Sequence, residues 1–352
     1  MPSTSPGGRR RRGRAGLAVL ALLVCAACTA RAEGRRLPPT STTAAPATTT
    51  TSAPPPFPLT GLPSDPAHLG RQALVVKIEN HPAARPQSGL DAADVVYEEQ
   101  VEGGLTRFIA VFQSRDAAVV GPVRSVRPSD GEIVWPLKPL FAYAGGTARI
   151  VPILHKAPVV DVGVDAAPDA YYRRAGRQIP HNLYSSTEAL YRAAKTPGAG
   201  PVPLFTYSDP KLATVPAGSA PVSHLTVAVG DQWTNYDWDT AAHTWKRSHD
   251  AAPHTVDSGA QIAPTNVIVQ FVQYKASVGD TDAAKSQVFT INAVGQGDAW
   301  VLSQGRIVKG HWSKPMPESV TAFTDTAGMP MSVAPGSTWV ELVPVGGVAT
   351  TR

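Results

Sequence analysis

The first 57 residues constrain the fold most, because their composition excludes them from a hydrophobic core. Residues 9–14 include five arginines and precede an apolar segment, residues 15–27, that is too short to span a bilayer as a mature helix. This order is typical of an export signal. The signal ends in CAAC, in which two small residues precede Cys28 as at a bacterial lipidation site. We expect residues 1–27 to be a signal peptide and Cys28 to be lipidated. A plain secretory signal cleaved at an A-x-A-like site is the alternative.

Residues 28–57 are rich in Thr, Ala and Pro and contain few large apolar side chains. This composition predicts a disordered stalk. A fatty acid such as palmitate on Cys28 would anchor the stalk to the outer face of the cytoplasmic membrane. Cys25 and Cys28 are the only cysteines. The mature chain would therefore have a single thiol, and no internal disulfide or multi-thiolate zinc site is expected.

The formal net charge of +5 belongs to the signal rather than to the folded part. Five of the 32 basic residues and no acidic residue precede Cys28, so the mature chain carries 27 Lys and Arg against 27 Asp and Glu. This balance does not indicate a nucleic-acid partner. No phosphate-binding loop or dinucleotide motif indicates a cofactor. His243, His249 and His254 fit no familiar zinc spacing, so no metal is expected.

About 295 residues remain for the folded part, which is enough for two domains. Prolines and glycines cluster over residues 196–221, and we expect a linker at residues 201–221. Upstream, helical and strand patterns mix; downstream, short β-rich segments are separated by Gly, Asn and Asp. We therefore expect an α+β fold, with a mixed α/β N-terminal domain over residues 58–200 and a smaller, mostly β C-terminal domain over residues 222–352.

A polar β-hairpin is expected within DVVYEEQVEGGLTRFIAVFQ, residues 94–113. The Gly103-Gly104 pair predicts a two-residue turn, because both glycines can take positive φ. That register pairs residue 100 with Arg107, and alternation puts Glu98 and Glu102 on the same face as Arg107. The resulting polar cluster is either part of a site or a solvated face with an ordinary ion pair.

Two arginines three residues apart lie between prolines in GPVRSVRPSD, residues 121–130. A Ser-x-x-Glu capping box that begins at Ser129 predicts a helix directly after them. Arg124 and Arg127 would then precede a helix N-terminus. Their charge and the positive end of the helix dipole together favour anion binding.

These polar segments predict one cleft in the N-terminal domain. His181 and Asn182 lie just before a second expected helix, whose capping box is SSTE at residues 185–188. The cleft would hold an anion or a polysaccharide group, with five side chains facing two carboxylates: Arg107, Arg124, Arg127, His181 and Asn182 opposite Glu98 and Glu102. The alternative is that the arginines pair with the acids as internal scaffolding.

A set of short motifs runs through the chain in order: PLTGLP, NHPAARPQSGL, VYEEQVEGGLTRFIAVF, GPVRSVRP, AGGT, IPHNLY, YDWD, DSGAQIAPTNVIVQ, GHWSK and PGSTWVELVP. Together these motifs resemble the YerB family of bacterial lipoproteins, over nearly all of the chain beyond the stalk. The resemblance implies envelope localisation and two consecutive domains of unknown function, and it implies no particular reaction. Tyr143 stands where the resemblance leads us to expect a histidine, which argues against histidine-dependent chemistry at that point.

Two functions are open at this point. The first is a lipid-anchored binding or scaffold protein of the cell envelope, with an anionic or cell-wall ligand in the cleft. The second is an envelope hydrolase or transferase in which Glu98, Glu102 or His181 acts as acid or base while the arginines hold the substrate. Carboxylates beside arginines have lowered pKa values, which favours binding over general acid catalysis.

Overall fold

In the computed structural model, residues 54–196, 198–209, 218–281 and 285–352 are described. The signal peptide, the lipidation of Cys28 and the stalk up to residue 53 lie outside these ranges and stay predictions. Residues Ser52–Arg352 form one compact unit, and three clusters of buried apolar side chains lie among its described residues. The unit therefore has a core of its own and can be produced without the N-terminal segment. No helix within the described ranges is long and apolar enough to cross a membrane.

The described part of the chain is mostly β, with short α-helices. The helices are α1 (Pro66–Leu69), α2 (Asp130–Val134), α3 (Ile150–Leu154) and α4 (Thr187–Ala193). The earlier strands are β1 (Leu74–Glu79), β2 (Val95–Gln100), β3 (Thr106–Phe112), β4 (Leu140–Ala142), β5 (Val160–Asp161), β6 (Tyr172–Arg173), β7 (Leu183–Tyr184) and β8 (Thr206–Tyr207). The later strands are β9 (Ala220–Pro221), β10 (His224–Val229), β11 (Gln232–Asp239), β12 (Thr244–His249), β13 (Ala252–Pro253), β14 (Asn266–Val272), β15 (Tyr274–Thr281), β16 (Gln287–Ile291), β17 (Gly295–Ser303), β18 (Arg306–Lys314), β19 (Ala322–Asp325), β20 (Ser332–Val333), β21 (Thr338–Pro344) and β22 (Ala349–Thr351).

One mixed sheet of eleven strands organises the unit. Its order is β19-β18-β17-β14-β21-β2-β3-β1-β4-β5, with β9 beside β18. β21 lies between β14 and β2 and is parallel to both, so strands from before and after the expected linker form one continuous sheet. The domain boundaries near residues 200 and 222, and the split into an α+β part and a mostly β part, stay predictions. Apolar, partly β-branched runs in the sequence predict strands near residues 73–78, 225–229, 267–274, 288–291, 300–302 and 338–343, and strands form at each of these places with shifted ends.

Both faces of the central strands β1, β3 and β21 are buried, which explains why these strands are nearly continuous apolar runs. On the first face, Val75 of β1 belongs to the same apolar cluster as Ile133 of α2 and Leu154 of α3. On the second face, Val76 of β1 belongs to a cluster with Leu190 of α4. The five-stranded sheet β13-β12-β11-β10-β22 covers the second face over β14, β17, β18 and β21.

The hairpin β2–β3 has a different register from the expected one. Glu99 lies opposite Arg107, and Gln100 lies opposite Thr106, so the expected pairing of Gln100 with Arg107 is wrong by one residue. Side chains on a strand alternate between faces, so this shift moves Arg107 to the other face relative to β2. Arg107 therefore shares the first face with Glu99, while Glu98 points to the second face.

The turn of this hairpin causes the shift, because it is longer than two residues. Glu102–Gly104 forms a 3₁₀ turn, and the Val101 N–H donates to the Leu105 carbonyl at 2.8 Å. Both turn glycines have positive φ, 63° and 69°, as the sequence predicts. The turn interrupts the alternation of β2, so the side chain of Glu102 can reach Arg127.

Candidate functional site

Three arginines predicted from the sequence come together on the first face, and we call them the arginine cluster: Arg107, Arg124 and Arg127. Arg107 lies on β3 opposite Glu79 of β1, and its Nη1 donates to the Ser125 carbonyl at 2.9 Å. The loop that carries the other two arginines runs along β1, because the Arg124 N–H donates to the Lys77 carbonyl at 2.8 Å. Residues 124 and 127 therefore lie beside the same strand end as Arg107.

Two carboxylates face the arginine cluster. Arg124 Nε donates to Glu79 Oε1 at 2.9 Å. Arg127 Nε and Nη2 both donate to Glu102 Oε2, at 3.0 and 2.6 Å. Arg127 and Glu102 are buried, whereas the Arg124 side chain is 25% exposed. Glu102 thus belongs to the cluster as predicted, and Glu79 is a member that sequence reasoning did not select.

The histidine and the asparagine of the predicted cleft have different surroundings. His181 Nδ1 lies 2.9 Å from Glu79 Oε2, and its ring stacks on His81 with centroids 4.7 Å apart. Burial and the neighbouring His181 lower the pKa of His81. Asn182 instead accepts from Arg173 Nη1 at 2.6 Å, so it fastens the hairpin β6–β7. His181 joins the arginine cluster, and Asn182 does not contact it.

Glu98 does not face the cluster, which corrects the expected cleft. It lies on the second face, where Thr106 Oγ1 and Asn80 Nδ2 donate to Glu98 Oε1 at 2.5 and 3.1 Å. Its other oxygen accepts from Arg247. The physical reason is the register of the hairpin: Glu98 and Arg107 have opposite orientations in the sheet. Glu98 and Glu102 therefore cannot act as a pair across one cleft.

Positive charge exceeds negative charge in the arginine cluster, because three guanidiniums face Glu79 and Glu102. Burial, followed by the charge of Arg127, lowers the pKa of Arg107 to about 9. Among the hydrogen bonds of the described residues, Arg107 Nε and Nη2 and both Nη atoms of Arg124 have no protein partner. Guanidinium N–H groups that are not used internally can bind a carboxylate or a phosphate in a bidentate way.

The expected helix caps are partly wrong. Ser129 precedes α2 but does not cap it; its Oγ instead accepts from the Ile291 N–H at 2.6 Å. Ser186, rather than Ser185, caps α4 by accepting from the Ala189 N–H at 3.1 Å. α2 has only five residues, and its first turn carries Asp130. The helix dipole therefore adds no separate anion site to the arginine cluster.

A buried ionic group lies beside the arginine cluster on the first face. Lys77 Nζ donates to Asp130 Oδ1 at 2.7 Å and to Glu99 Oε1, and Asp130 Oδ2 also accepts from the Arg127 N–H at 2.8 Å. All three ionic side chains are almost completely buried. Asp130 thereby connects the loop of Arg127 to the central strands, which holds the arginines in place.

The carboxyl of Glu99 predicts a pH-dependent stability. Burial and the charge of Asp130 raise its pKa from 4.5 to about 8. Between these values the folded state keeps a proton that the unfolded chain has released, so stability is lost as the pH rises towards 8. Between pH 4.5 and about 8, the unfolding free energy of the wild type relative to Glu99→Gln should fall by up to about 1.4 kcal/mol per pH unit. Above about pH 8 the difference between the two proteins should not change further.

Urea unfolding from pH 5 to about 9 measures this difference for the wild type and Glu99→Gln. Glu188→Gln is the control, because Glu188 is exposed on α4 and its replacement should leave the pH profile unchanged. Profiles for the wild type and Glu99→Gln that run parallel would show that Glu99 is ionised throughout.

A second buried network lies on the opposite face, and its centre is Arg247 of β12. This guanidinium donates to Glu98, to the Tyr236 hydroxyl at 3.0 Å and to Thr234 Oγ1 at 3.1 Å. The Tyr236 hydroxyl donates in turn to Glu341 of β21. Burial and the charge of Glu98 raise the pKa of Glu341 well above its usual range. The network connects the five-stranded sheet to the central strands of the large sheet.

Two of the three histidines considered as metal ligands belong to this second network. Arg247 Nη1 lies 3.1 Å from His249 Nε2 and 2.6 Å from His254 Nδ1. Burial lowers the pKa of both histidines, so both are neutral acceptors. Across the part of the chain that the structure describes, no three His, Cys, Asp or Glu side chains gather as a metal site.

Comparison with known proteins shows which family this chain belongs to. Residues 59–200 match the N-terminal domain, and residues 224–340 the C-terminal domain, of a protein of unknown function, DUF3048. The chain belongs to this family. A curated relative is the "Putative lipoprotein YerB" of Bacillus subtilis (strain 168), which is 29% identical over 301 residues and is aligned over 82% of this chain and 86% of its own length.

A solved relative has the same fold. The crystal structure of the YerB protein from Bacillus subtilis superposes with a TM-score of 0.70 at 25% identity, over 84% of this chain and 99% of that chain. The resemblance to the YerB family that the motifs indicate is therefore confirmed.

Proposed function

We propose that this protein is a lipid-anchored binding or scaffold protein of the bacterial cell envelope, on the outer face of the cytoplasmic membrane. The export signal and Cys28 support the anchor, as does the lipoprotein name of the Bacillus relative. The proposed lipid at Cys28 and the proposed stalk would hold the unit Ser52–Arg352 near the membrane or within a wall layer. We keep the proposal of two domains within this unit, joined through one sheet.

The proposed ligand of the arginine cluster is an anion, either a small phosphate or carboxylate or an acidic group of a polysaccharide. One observation supports it most: three guanidiniums face only two carboxylates, and four nitrogen atoms of Arg107 and Arg124 have no partner among the described residues. An internal scaffold would pair each guanidinium fully, since an unpaired buried charge is costly. We assign ligand contact to Arg107 and Arg124, while Arg127, which is paired with Glu102, adds positive charge and His181 lies at the edge.

An envelope hydrolase or transferase that uses Glu98 and Glu102 together has less support. The two carboxylates lie on different faces of the sheet, which leaves Glu102 and His181 as the candidates for acid or base chemistry. Both already bind a charged neighbour in the cluster, and this favours charge stabilisation over proton transfer.

Arg124→Ala tests the proposal. The free nitrogens of Arg124 make charge-assisted hydrogen bonds to the ligand in our account, so the variant should bind about 10- to 100-fold more weakly. The measurement is the thermal shift of the unit Ser52–Arg352 with inorganic phosphate, citrate and oligogalacturonate, followed by calorimetric titration of the acid with the largest shift.

Arg192→Ala is the matched control, because Arg192 is an exposed arginine of α4 with one weak ion pair. It should retain the wild-type shift. If none of the three acids shifts the wild type, or if Arg124→Ala binds as tightly as the control, the arginine cluster is scaffolding and the proposed ligand class is wrong.

A further inference from the structure

The second face of the large sheet has an uncovered end that is separate from the arginine cluster. The five-stranded sheet buries Val269, Leu302 and Ile307 of β14, β17 and β18. Further along the same strands, the five-stranded sheet no longer covers the side chains on this face. Asp298 and Trp300 of β17 lie directly opposite His311 and Lys309 of β18. This end of the face therefore presents an aromatic ring next to three charged or ionisable groups.

These residues line an open groove of about 610 Å³. Phe271 forms part of its floor, and Gly297, Gly310, Gly346 and Gly347 line its walls, the last two of them exposed. The volume lies in the range of sites for small molecules, roughly 300–1,000 Å³. A mostly apolar floor with a few polar groups at the rim is also the usual composition of such a site.

The indole of Trp300 is held between two neighbours. The Phe271 ring meets it edge to face, with centroids 5.4 Å apart, and Lys309 Nζ lies 4.0 Å from the centre of the indole. Lys309 is exposed, so its contact with the ring is weak. A ligand of modest affinity can therefore displace the lysine from the indole.

The groove carries one cation, Lys309, and one carboxylate, Asp298. Asp298 Oδ1 and His311 Nδ1 lie 3.1 Å apart and pair with each other. No carboxylate of the described residues lies within ion-pair distance of Lys309. A ligand that matches this groove has an apolar ring face for the indole, hydroxyl groups for the Asp298–His311 pair and one negative charge for the lysine.

We propose that this groove binds a saccharide whose pyranose ring carries a carboxylate. The C–H face of the pyranose packs on the Trp300 indole in the place that Lys309 occupies, and Lys309 turns to the carboxylate. Asp298 accepts from ring hydroxyls. This site lies on another face and on other strands than the arginine cluster, so the proposal does not depend on the ligand of that cluster.

Ligand-observed NMR with oligogalacturonate and with its methyl ester tests this proposal, because the ester keeps the same pyranose rings and hydroxyl groups but lacks the negative charges. The wild-type unit Ser52–Arg352 should prefer the acid by about two- to fivefold, the size of an exposed ion pair. The groove variants are made and compared in the Arg124→Ala background, so that binding at the arginine cluster does not contribute to the acid preference. In that background the preference measured at the groove should persist.

Lys309→Ala gives the decisive contrast. Since it removes the charge and uncovers the indole, it should bind acid and ester equally and bind the ester at least as tightly as the wild type does. Trp300→Ala should lose about tenfold in affinity for both probes. Lys246→Ala, which removes another exposed strand lysine, should behave as the wild type.

Three results would overturn the proposal. The first is a wild type that binds neither probe at about 10 mM. The second is an unchanged acid preference in Lys309→Ala, a replacement that leaves the fold intact because the side chain is exposed. The third is unchanged affinity in Trp300→Ala; if that variant unfolds, Lys309→Ala alone decides.

Discussion

Arg247→Met should destabilise the protein by about 3–5 kcal/mol, because it leaves the buried carboxylate of Glu98 without its counter-charge. Arg247 is completely buried and binds Glu98 directly, with Glu341 Oε1 at 3.8 Å from its Nε. Methionine fills much of the same volume, so the loss would come from charge rather than from a cavity. The measurement is the free energy of unfolding in urea at neutral pH.

Two further variants show whether charge is the cause. Lys246→Met changes the next residue of β12, whose side chain is half exposed and pairs with Asp239, and should cost less than about 1 kcal/mol. Adding Glu98→Gln and Glu341→Gln to Arg247→Met should recover a large part of the lost stability. A loss for Arg247→Met that is no greater than for Lys246→Met would contradict the role given to the second-face network.

Lys77→Met is expected to have the second large effect, because Lys77 is the only cation among the described residues that binds both Glu99 and Asp130 on the first face. We expect a loss of about 3 kcal/mol near pH 8. The loss should be smaller at pH 5, since burial and the charge of Asp130 already raise the pKa of Glu99 to about 8. A proton on Glu99 at low pH replaces part of the missing charge.

Lys156→Met serves as the comparison, because Lys156 is exposed after α3. It should change the unfolding free energy by less than about 0.5 kcal/mol at either pH. Urea unfolding of both variants at the two pH values provides the test. A loss for Lys77→Met that is no greater than that for Lys156→Met at either pH would contradict the role given to Lys77.

The strands could be predicted from the sequence because burial on both faces makes them apolar, as in β1 and β21. Their partners could not. β21 follows the expected linker, yet it pairs with β2 from the start of the folded part. Nothing local in either strand specifies that pairing, because it depends on which apolar faces the whole chain can bury together. The expected division into two domains therefore gave no indication that strands from both parts form one sheet.

The candidate site was predicted in part for a related reason. The motif GPVRSVRP singles out Arg124 and Arg127. The contact of Arg127 with Glu102 could be predicted because it requires only that the loop with these arginines lies beside the hairpin β2–β3. Glu98 was misplaced because the turn at Glu102–Gly104 is longer than its glycines suggest, and one residue of register reverses every face. Lys77 and Glu79 carried an available signal: both follow Val75 at alternate positions of β1, where charged residues in a buried strand require buried partners.

A crystal structure of the unit Ser52–Arg352 grown with inorganic phosphate tests the central claim most directly. We predict a bound phosphate within hydrogen-bond distance of the free nitrogens of Arg107 and Arg124, with the Arg127–Glu102 pair unchanged. At saturating phosphate, a structure in which these nitrogens contact only water or protein groups would contradict the claim that the arginine cluster is an anion site.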